Sequence, residues 1–428
     1  MSPPRLLFIS PAAFNRVTGG GITFGNLFAG WPKERLATAH SDPVPVTTET
    51  CEIYYRLGPA ELRHWGPLER IAPATGTAGD SSPTWRKSRP LLRKARLALF
   101  GQQLPDRGTL SPALERWIGE FRPQVLYTIL GSIGLMELVL AVQRRFALPL
   151  VVHLMDDWPR AAHRGGVFTP LARRRMERLL DETLARACLR LGICEAMCDA
   201  YARRYGVPFE AFHNAVDVDR WQSISRSDNR TKDIVYVGSI FAEAQLESLV
   251  DCCHAVARLS GARLSIYSPH CERYRDRLAV SDAITLSDTI TDDGQFFRRI
   301  AAADILLMPV NFDARTTRYI RYSMPTKLPA YLFSATPILA YGPEAVAQVR
   351  YVKEAGAAAV VSERGVERLA DALRGLFGDP ALRERLGARA RELALERHDL
   401  KVVRARFQEA LARSATVKSA LSFSGAPA

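Results

Sequence analysis

Short runs of aliphatic and β-branched residues alternate with amphipathic segments along almost the whole chain. In the first half, the apolar runs predict five strands: Leu6–Ser10, Val125–Leu130, Leu150–Met155, Leu189–Cys194 and Phe209–His213. Segments such as "PLARRRMERLLDETLARA" and "EAMCDAYARRYG" between them have helical periodicity. Because parallel strands need a long crossover connection, this alternation predicts parallel sheets built from βαβ units.

The second half repeats the pattern. Its predicted strands are Ile234–Val237, Arg263–Tyr267, Ala283–Leu286, Asp304–Met308, Pro337–Tyr341 and Ala358–Val361. A polar run at 217–233 interrupts the alternation near the middle and is typical of a linker. We therefore expect an α/β protein with two doubly wound parallel-sheet domains, each of which binds ligands at the carboxyl ends of its strands. The predicted parts are domains at 1–216 and 230–398, a helix at 399–414 near the hinge and a flexible tail at 415–428.

Composition narrows the partners. The formal net charge of +13 over 428 residues favours anionic partners, and no recognised nucleic-acid-binding module accompanies the charge. The seven cysteines show no metal-ligand spacing, so we expect reduced thiols and no zinc site. The apolar stretch at 124–142 contains Glu137 and two glycines, which favours a buried strand–turn–helix over a membrane span.

Two loops of the first half carry candidate chemistry. Gly20 and Gly21 lie in a glycine run that follows the first strand and leads into a helix, where backbone N–H groups can bind an anion; a plain flexible turn is the alternative. The strand in "VVHLMDDWPR" ends in a histidine, two acids and a tryptophan, at the edge where catalytic groups lie in such sheets. These candidates are His153, Asp156, Asp157 and Trp158. The alternative is that Asp157 caps the next turn and Trp158 packs.

The passage "CEAMCDAYARRYGVPFEAFHNAVDVDRW" resembles the "S-x-x-m…yG-p…v-i-P-N-G-V-D" passage of retaining GT-B glycosyltransferases of the family-4-like group. The "DDWP" loop resembles that group's "H-D-x-W-P" loop, with Asp156 on its aspartate, Met155 on its histidine and His153 two residues away. The resemblance implies an N-terminal acceptor domain, with Asn214 and Trp158 on the acceptor side, and a C-terminal nucleotide-sugar domain.

In the second half, "IVYVGSIF" resembles the strand and glycine loop that open the donor domain, and Gly238 matches. Ser239 and Ala244 stand where the group has an arginine and a lysine for the donor diphosphate. "PTKLPAYLFSATPILAYG" resembles "P-S-K-L-x-E-Y-l-a-x-G-x-P-v-l-a", with Ala330 in place of the glutamate that holds the donor ribose. Thr326 and Lys327 would stand at the start of a helix, where phosphate oxygens bind.

Arg315, Arg318 and Arg321 lie upstream of this segment. They could take over the role of the family's arginine and lysine, because guanidinium groups bind phosphate well. They are spaced three apart on one helical face, and a solvated arginine face is the alternative. The predicted donor-binding set is Gly20, Gly21, Gly238, Ser239, Arg315, Arg318, Arg321, Thr326, Lys327, Leu328 and Tyr331. The resemblance implies that a nucleotide-diphosphate sugar is the donor substrate and that no metal and no cofactor take part.

Residues 84–101 form a basic amphipathic stretch without an acidic residue, and four arginines at 173–175 and 178 add a second basic stripe. Docking on an anionic membrane surface and a merely solvated helix both fit this pattern. We expect a cytoplasmic protein, either free or peripheral on the inner face of the membrane.

Two functions from different classes remain. The first is a retaining, metal-independent glycosyltransferase that acts on a glycan or lipid-linked acceptor in surface polysaccharide or glycolipid assembly. The second is a catalytically degenerate GT-B protein that serves as a binding or scaffold partner in glycan assembly, which the departures at Ser239, Ala244 and Ala330 would favour. The sequence leaves the sugar, the base and the acceptor open.

Overall fold

A computed structural model of the chain describes residues 3–15, 18–64, 94, 97–101, 103–224, 226 and 231–416. The chain divides into two compact units. The N-terminal unit comprises Met1–Phe212 together with Arg404–Ala428, and the C-terminal unit comprises His213–Val403. The predicted linker at 217–233 contains a short helix, and its residues 225 and 227–230 lie outside the described residues, as does 417–428 of the predicted tail.

The N-terminal unit is built on a seven-stranded parallel sheet with the order β3-β2-β1-β6-β7-β8-β9. Its strands are β1 Leu6–Ser10, β2 Leu36–His40, β3 Ile53–Arg56, β6 Val125–Ile129, β7 Leu150–Leu154, β8 Ala187–Gly192 and β9 Glu210–Ala211. A separate antiparallel pair consists of β4 Leu62–His64 and β5 Asp106–Gly108. The helices are α1 Gly19–Phe28, α2 Pro112–Phe121, α3 Ile133–Phe146, α4 Trp158–Ala161, α5 Thr169–Arg186 and α6 Glu195–Tyr205.

The C-terminal unit has a six-stranded parallel sheet with the order β12-β11-β10-β13-β14-β15. Its strands are β10 Asp233–Val237, β11 Arg263–Tyr267, β12 Ile284–Ser287, β13 Ile305–Pro309, β14 Ile338–Tyr341 and β15 Ala359–Val361. Its helices are α7 Val218–Trp221, α8 Leu246–Ala257, α9 Arg275–Leu278, α10 Asp293–Ala301, α11 Ala314–Ile320, α12 Leu328–Phe333, α13 Ala347–Glu354, α14 Val366–Gly378 and α15 Pro380–Arg397.

Both sheets reverse their strand order once, beside the first strand of each. The reversal lies between β1 and β6 in the N-terminal sheet and between β10 and β13 in the C-terminal sheet. This is the doubly wound Rossmann-like order, in which ligands bind outside the carboxyl ends of the strands at the reversal. The predicted α/β class with two parallel-sheet domains is confirmed. The loops after β1, β6, β10 and β13 are therefore the first places to look for a site.

The eleven strands predicted from apolar runs are all present, and none of their ends shifts by more than two residues. The prediction missed β2 and β3 of the main sheet and the antiparallel pair β4 and β5. All five positions of β2 are buried, but its sequence "LATAH" has one long aliphatic side chain, so it lacks the usual apolar signal. β3 lies at the edge of the sheet and is only partly buried, so its "IYYR" sequence is short and mixed.

Residues 124–142 form β6 and most of α3, as predicted, with Ser132 capping the helix. Within the described residues, no helix is long and apolar enough to cross a membrane. Of the predicted basic stretch at 84–101, most lies outside the described residues, which here include only Lys94 and residues 97–101.

An aromatic cluster fills one face of the N-terminal sheet. Phe8 and Phe28 lie 5.9 Å apart between ring centroids, and Tyr127 lies 5.0 Å from Phe8. The last helix, α16 Leu400–Ser414, adds Phe407, whose ring is 5.2 Å from Phe28 and 5.7 Å from Tyr127. The core of the N-terminal unit thus combines residues from the two ends of the chain.

Candidate functional site

A tight turn follows β10 at the reversal point of the C-terminal sheet. The N–H of Gly238 donates to the carbonyl of Tyr267 on the next strand (3.0 Å), and the Tyr236 hydroxyl donates to the carbonyl of Ser239 (2.7 Å). Gly238 has a φ of +137°, a conformation that side chains disfavour. These bonds fix the turn, and its backbone needs glycine.

Lys327 lies against this turn. Its Nζ is 3.7 Å from the centroid of the Tyr236 ring, which is within the range of a cation–π contact. A Cβ placed on Gly238 would be 3.1 Å from the same Nζ, so the glycine also makes room for the lysine. Two members of the predicted donor-binding set, Gly238 and Lys327, therefore lie together, next to a tyrosine ring that the sequence did not point to.

Two further contacts hold the lysine segment in place. The Tyr331 hydroxyl accepts from the N–H of Val237 (2.9 Å), which ties α12 to the end of β10. The Asn214 amide donates to the carbonyl of Met324 (3.1 Å), ahead of the lysine. Asn214, which the resemblance put on the acceptor side, lies in the C-terminal unit and supports the lysine loop there.

The electrostatics of Lys327 suit an anion. Burial lowers the pKa of its ammonium group to about 7, because removing it from water disfavours the charged form. The ring face of Tyr236 acts in the opposite direction by attracting the cation. Within the described residues no carboxylate pairs with this ammonium group. An oxyanion bound beside Gly238 would attract this ammonium group and raise its pKa.

The neighbouring donor candidates occupy different positions. Thr326 is exposed, and Leu328 is buried at the start of α12. Lys327 is the N-cap residue of α12, but this helix has only six residues and its cap side chain makes no capping bond. The N-terminus of this short helix can therefore contribute little to binding an anion. The ammonium group of Lys327 is the main positive charge at the Gly238 turn.

The three departures from the family pattern also have structural positions. Ser239 is exposed beside the turn. Ala244 is 4% exposed and packs in an apolar cluster with Val310 and Ile320, so a lysine there would not fit without repacking. Ala330 is buried on α12. These small residues leave the Lys327 contacts intact.

The arginine row lies on the outer face of α11. Arg315, Arg318 and Arg321 are all exposed, while Thr316 and Ile320 face inward. The Thr316 hydroxyl donates to the carbonyl of Glu243, which brings this helix next to the loop after the Gly238 turn. No contact links the three guanidinium groups to Lys327 within the described residues.

The acidic loop of the N-terminal unit separates its two aspartates. Asp156 is half-buried and its carboxylate accepts from the N–H of Trp158 (3.1 Å) at the start of α4. Burial and the charge of Asp157 raise the pKa of Asp156 to about 6. Asp157 is fully buried, and the Tyr201 hydroxyl donates to it (2.7 Å). The capping interpretation of Asp157 is wrong, since its side chain makes no cap bond and Asp156 bonds to the helix start instead.

Trp158 is half-buried at this helix start. Its indole Nε1 is buried and has no hydrogen-bond partner among the residues that the structure describes. Arg160 approaches the second oxygen of Asp157 at 3.9 Å. Asp156 is therefore the acid with access to solvent, and Asp157 and Arg160 support the loop from behind.

His153 lies in the aromatic core of the N-terminal unit. It is 0% exposed, its Nδ1 is 2.7 Å from the Tyr127 hydroxyl, and its ring is 6.2 Å from that of Phe24. Burial lowers the pKa of its imidazole to about 3. No surface of His153 is available to an acceptor, so Asp156 is the better candidate for catalysis.

The buried imidazole leads to a stability prediction. The unfolded chain protonates His153 below about pH 6.5, whereas the folded protein keeps it neutral until about pH 3. Acid therefore favours the unfolded state. Through this residue, we expect the free energy of unfolding to fall by about 1.4 kcal/mol per pH unit as the pH drops from about 6.5.

Urea unfolding at several pH values measures this slope. His153→Gln keeps an acceptor for Tyr127 without titrating and should flatten the acid limb. The exposed His254 provides the control, since His254→Gln should leave the slope unchanged. Equal slopes in the parent and in His153→Gln would contradict the expectation.

The glycine run at the start of α1 does not present a row of free backbone N–H groups to an anion. The Thr18 hydroxyl accepts from the N–H of Gly21 (3.1 Å), so this donor is already used. A Cβ on Gly21 would lie 2.5 Å from the side chain of Asn15, which in turn accepts from the N–H of Thr18. Gly20 is half-buried. Both glycines belong to the N-terminal unit, and close packing explains Gly21.

Two residues that hold the site in place, Tyr236 and Asn311, were not predicted from the sequence. Tyr236 stands in the predicted strand "IVYVGSIF", and its only signal was an aromatic residue two positions before the turn glycine. Asn311 follows β13 and is 1% exposed. Its side chain accepts from the N–H of Ser248 and donates to the carbonyl of Ala242, which orders the loop after the Gly238 turn. An asparagine two residues after a buried strand was the available signal.

Comparison with known proteins adds the fold family. No protein-family model matches this chain, and no curated protein matches it. Among solved structures, sucrose-phosphate synthase from Thermosynechococcus elongatus matches with a TM-score of 0.64 and 12% identity, over 96% of this chain and 98% of that chain. α,α-Trehalose 6-phosphate synthase from Burkholderia multivorans matches with a TM-score of 0.60 and 11% identity, over 100% of both chains.

HepE from Anabaena, solved in complex with UDP-glucose, matches with a TM-score of 0.60 and 10% identity, over 95% of this chain and 99% of that chain. HepE was also solved with UDP. These structural neighbours are glycosyltransferases with the GT-B fold. At such low identity the likeness shows the fold alone, and the chain has the GT-B fold.

Proposed function

We propose that this protein is a glycosyltransferase that uses a nucleotide-diphosphate sugar as donor. The observation that carries the proposal is the position of Lys327, which lies on the Tyr236 ring beside the Gly238 turn, at the reversal point of the C-terminal sheet. HepE, with the same fold, binds UDP and UDP-glucose. A lysine without a carboxylate partner among the described residues, next to a bare glycine turn, suits a diphosphate.

In the proposed reaction, an acceptor hydroxyl attacks the anomeric carbon while the bond to the nucleotide diphosphate breaks, and the hydroxyl proton is taken up by the leaving diphosphate. Lys327 stabilises the negative charge that develops on the leaving phosphate, so that no metal is needed. The sequence resemblance supports retention of anomeric configuration. Asp156 orients the acceptor hydroxyl or the donor sugar, since it is the solvent-accessible acid of its loop. Surface polysaccharide or glycolipid assembly is the proposed setting.

Calorimetry with UDP, GDP, ADP and dTDP tests the proposal, with the matching nucleosides as controls. We expect one or more diphosphates to bind at least ten-fold more tightly than the nucleoside, because the phosphates supply the interaction with Lys327. Addition of EDTA should leave this binding unchanged. Absence of binding across the whole panel would overturn the proposal and favour the non-catalytic scaffold.

A further inference from the structure

A group of large apolar side chains is exposed on the N-terminal unit. Val167 is 70% exposed, Leu171 66% and Phe168 46%, at the start of α5. Leu97 and Leu99 are 37% and 39% exposed on a neighbouring helical segment. We call these five residues the apolar patch. Exposed apolar side chains that occur singly need no explanation, but a contiguous group marks an interaction surface.

The patch is a built surface, because its two segments are bonded together. The N–H of Val167 donates to the carbonyl of Ala98 (3.0 Å), and the N–H of Phe168 donates to the carbonyl of Leu99 (2.8 Å). The ring of Phe168 lies 5.5 Å from that of Phe100. Main-chain bonds thus hold together the two segments that carry the exposed side chains.

A glycine permits this close approach. A Cβ on Gly166 would lie 2.4 Å from the backbone nitrogen of Gly101 and 2.7 Å from that of Phe100. Any larger residue would therefore push the two segments apart. The sequence keeps the segments in contact while leaving their apolar side chains in solvent.

The charges beside the patch are basic. Residues 158–178 contain six arginines and one glutamate. Arg173 and Arg175 have ion-pair partners in Glu177 and Glu137. Arg174 and Arg178 are exposed and have no ion-pair partner within the described residues. They stand three and seven positions after Leu171 on α5, on the same face of the helix.

We propose that the apolar patch and its flanking arginines form a docking surface for an anionic lipid bilayer. The apolar side chains would insert at the level of the lipid headgroups, and Arg174 and Arg178 would bind lipid phosphates, as in interfacial membrane-binding helices. The exposed Lys94, beside the second segment, adds to the positive charge. A water-soluble acidic partner would use the arginines but would not need five exposed apolar side chains. The proposal does not depend on transferase activity.

Co-sedimentation of the full chain with vesicles tests the proposal. Vesicles of phosphatidylcholine alone are compared with vesicles that contain phosphatidylglycerol as well, at low and high salt. We expect binding to the anionic vesicles and little binding to the neutral ones. Phe168→Ser/Leu171→Ser should weaken binding about ten-fold or more through loss of insertion. Arg174→Gln/Arg178→Gln should weaken it roughly five-fold per arginine.

Matched controls come from exposed residues of the C-terminal unit. Leu395→Ser/Val402→Ser removes two apolar side chains that are 46% and 51% exposed, and it should leave vesicle binding unchanged. Thermal midpoints should stay at the parent value for every variant. The proposal is overturned if the patch variants bind anionic vesicles as well as the parent does, or if they change only self-association measured by light scattering. The second outcome would make the patch an interface between copies of the chain.

Discussion

Lys327→Ala is expected to weaken nucleotide-diphosphate binding by roughly ten- to one-hundred-fold while leaving nucleoside binding nearly unchanged. The variant removes one charge-assisted interaction with the phosphates, for which about 1.5–3 kcal/mol is typical. The transfer rate should fall further, by about 10²- to 10³-fold, because the leaving group carries more charge in the transition state than in the bound donor. Calorimetry and initial-rate measurements check the two effects separately.

Two further variants make this prediction specific. Gly238→Ala should have a similar effect on diphosphate binding, because its Cβ would crowd Nζ at 3.1 Å and the φ of +137° would be strained. Arg318→Gln removes an exposed cation of the α11 row and serves as the matched control. If it weakens binding as much as Lys327→Ala, the arginine row contributes as the sequence suggested. If Lys327→Ala binds diphosphates like the parent, the proposed role of the lysine is wrong.

The same lysine predicts how affinity depends on pH. Burial lowers the pKa of Lys327 to about 7, and a bound diphosphate would raise it. Binding above pH 7 therefore takes up a proton, and affinity should fall as the pH rises, by up to about ten-fold per unit. Calorimetry in buffers with different ionisation enthalpies measures the proton uptake directly. Lys327→Ala should remove it.

Asp156→Asn is expected to reduce transfer by about 10²- to 10⁴-fold, the usual contribution of a positioned acid or base. Its thermal midpoint at pH 7 should equal or exceed that of the parent. The reason is that burial raises the pKa of Asp156 to about 6. At pH 7 the ionised carboxylate therefore destabilises the folded state relative to the unfolded chain. The parent should also lose activity below about pH 6, as Asp156 becomes protonated.

Asp157→Asn provides the contrast. Asp157 is fully buried, accepts from Tyr201 and lies near Arg160, so its replacement should lower the thermal midpoint. Measuring activity per folded molecule separates the two acids. Full turnover in Asp156→Asn would show that the loop is structural and would remove Asp156 from the mechanism.

The fold could be predicted because it depends on a repeated local signal. The predicted apolar runs form strands, and the amphipathic segments between them form the helices that connect parallel strands. Within the two large sheets, the failures were β2 and β3, where burial is set by neighbouring strands and the sequence carries little apolar signal of its own. A sheet can bury alanine, threonine and histidine if tertiary packing supports them.

The candidate site was harder to predict. A motif identifies residues in the sequence, but it does not show which side chains pack around them in the fold. The resemblance put Lys327 and Gly238 in the same donor-binding set, but the contact of Lys327 with the Tyr236 ring depends on side-chain packing. His153 and Asp156 stand three residues apart, yet one is in the aromatic core and the other borders solvent. Alternation along a strand and the turn after it produce this difference, and the pattern of residue types does not reveal it.

The placement of Phe407 has a consequence for how the protein is made. The aromatic core that begins with Phe8 is completed by a ring from the last helix, and the whole C-terminal unit lies between them in the chain. A ribosome that has just finished Phe212 still needs roughly ten to forty seconds to reach Arg404 at typical synthesis rates. During that interval the core of the nascent N-terminal unit lacks the packing that Phe407 and its helix provide. A fragment that stops at Phe212 would share this defect, so dissection of the protein requires the final helix to be joined back to the N-terminal unit.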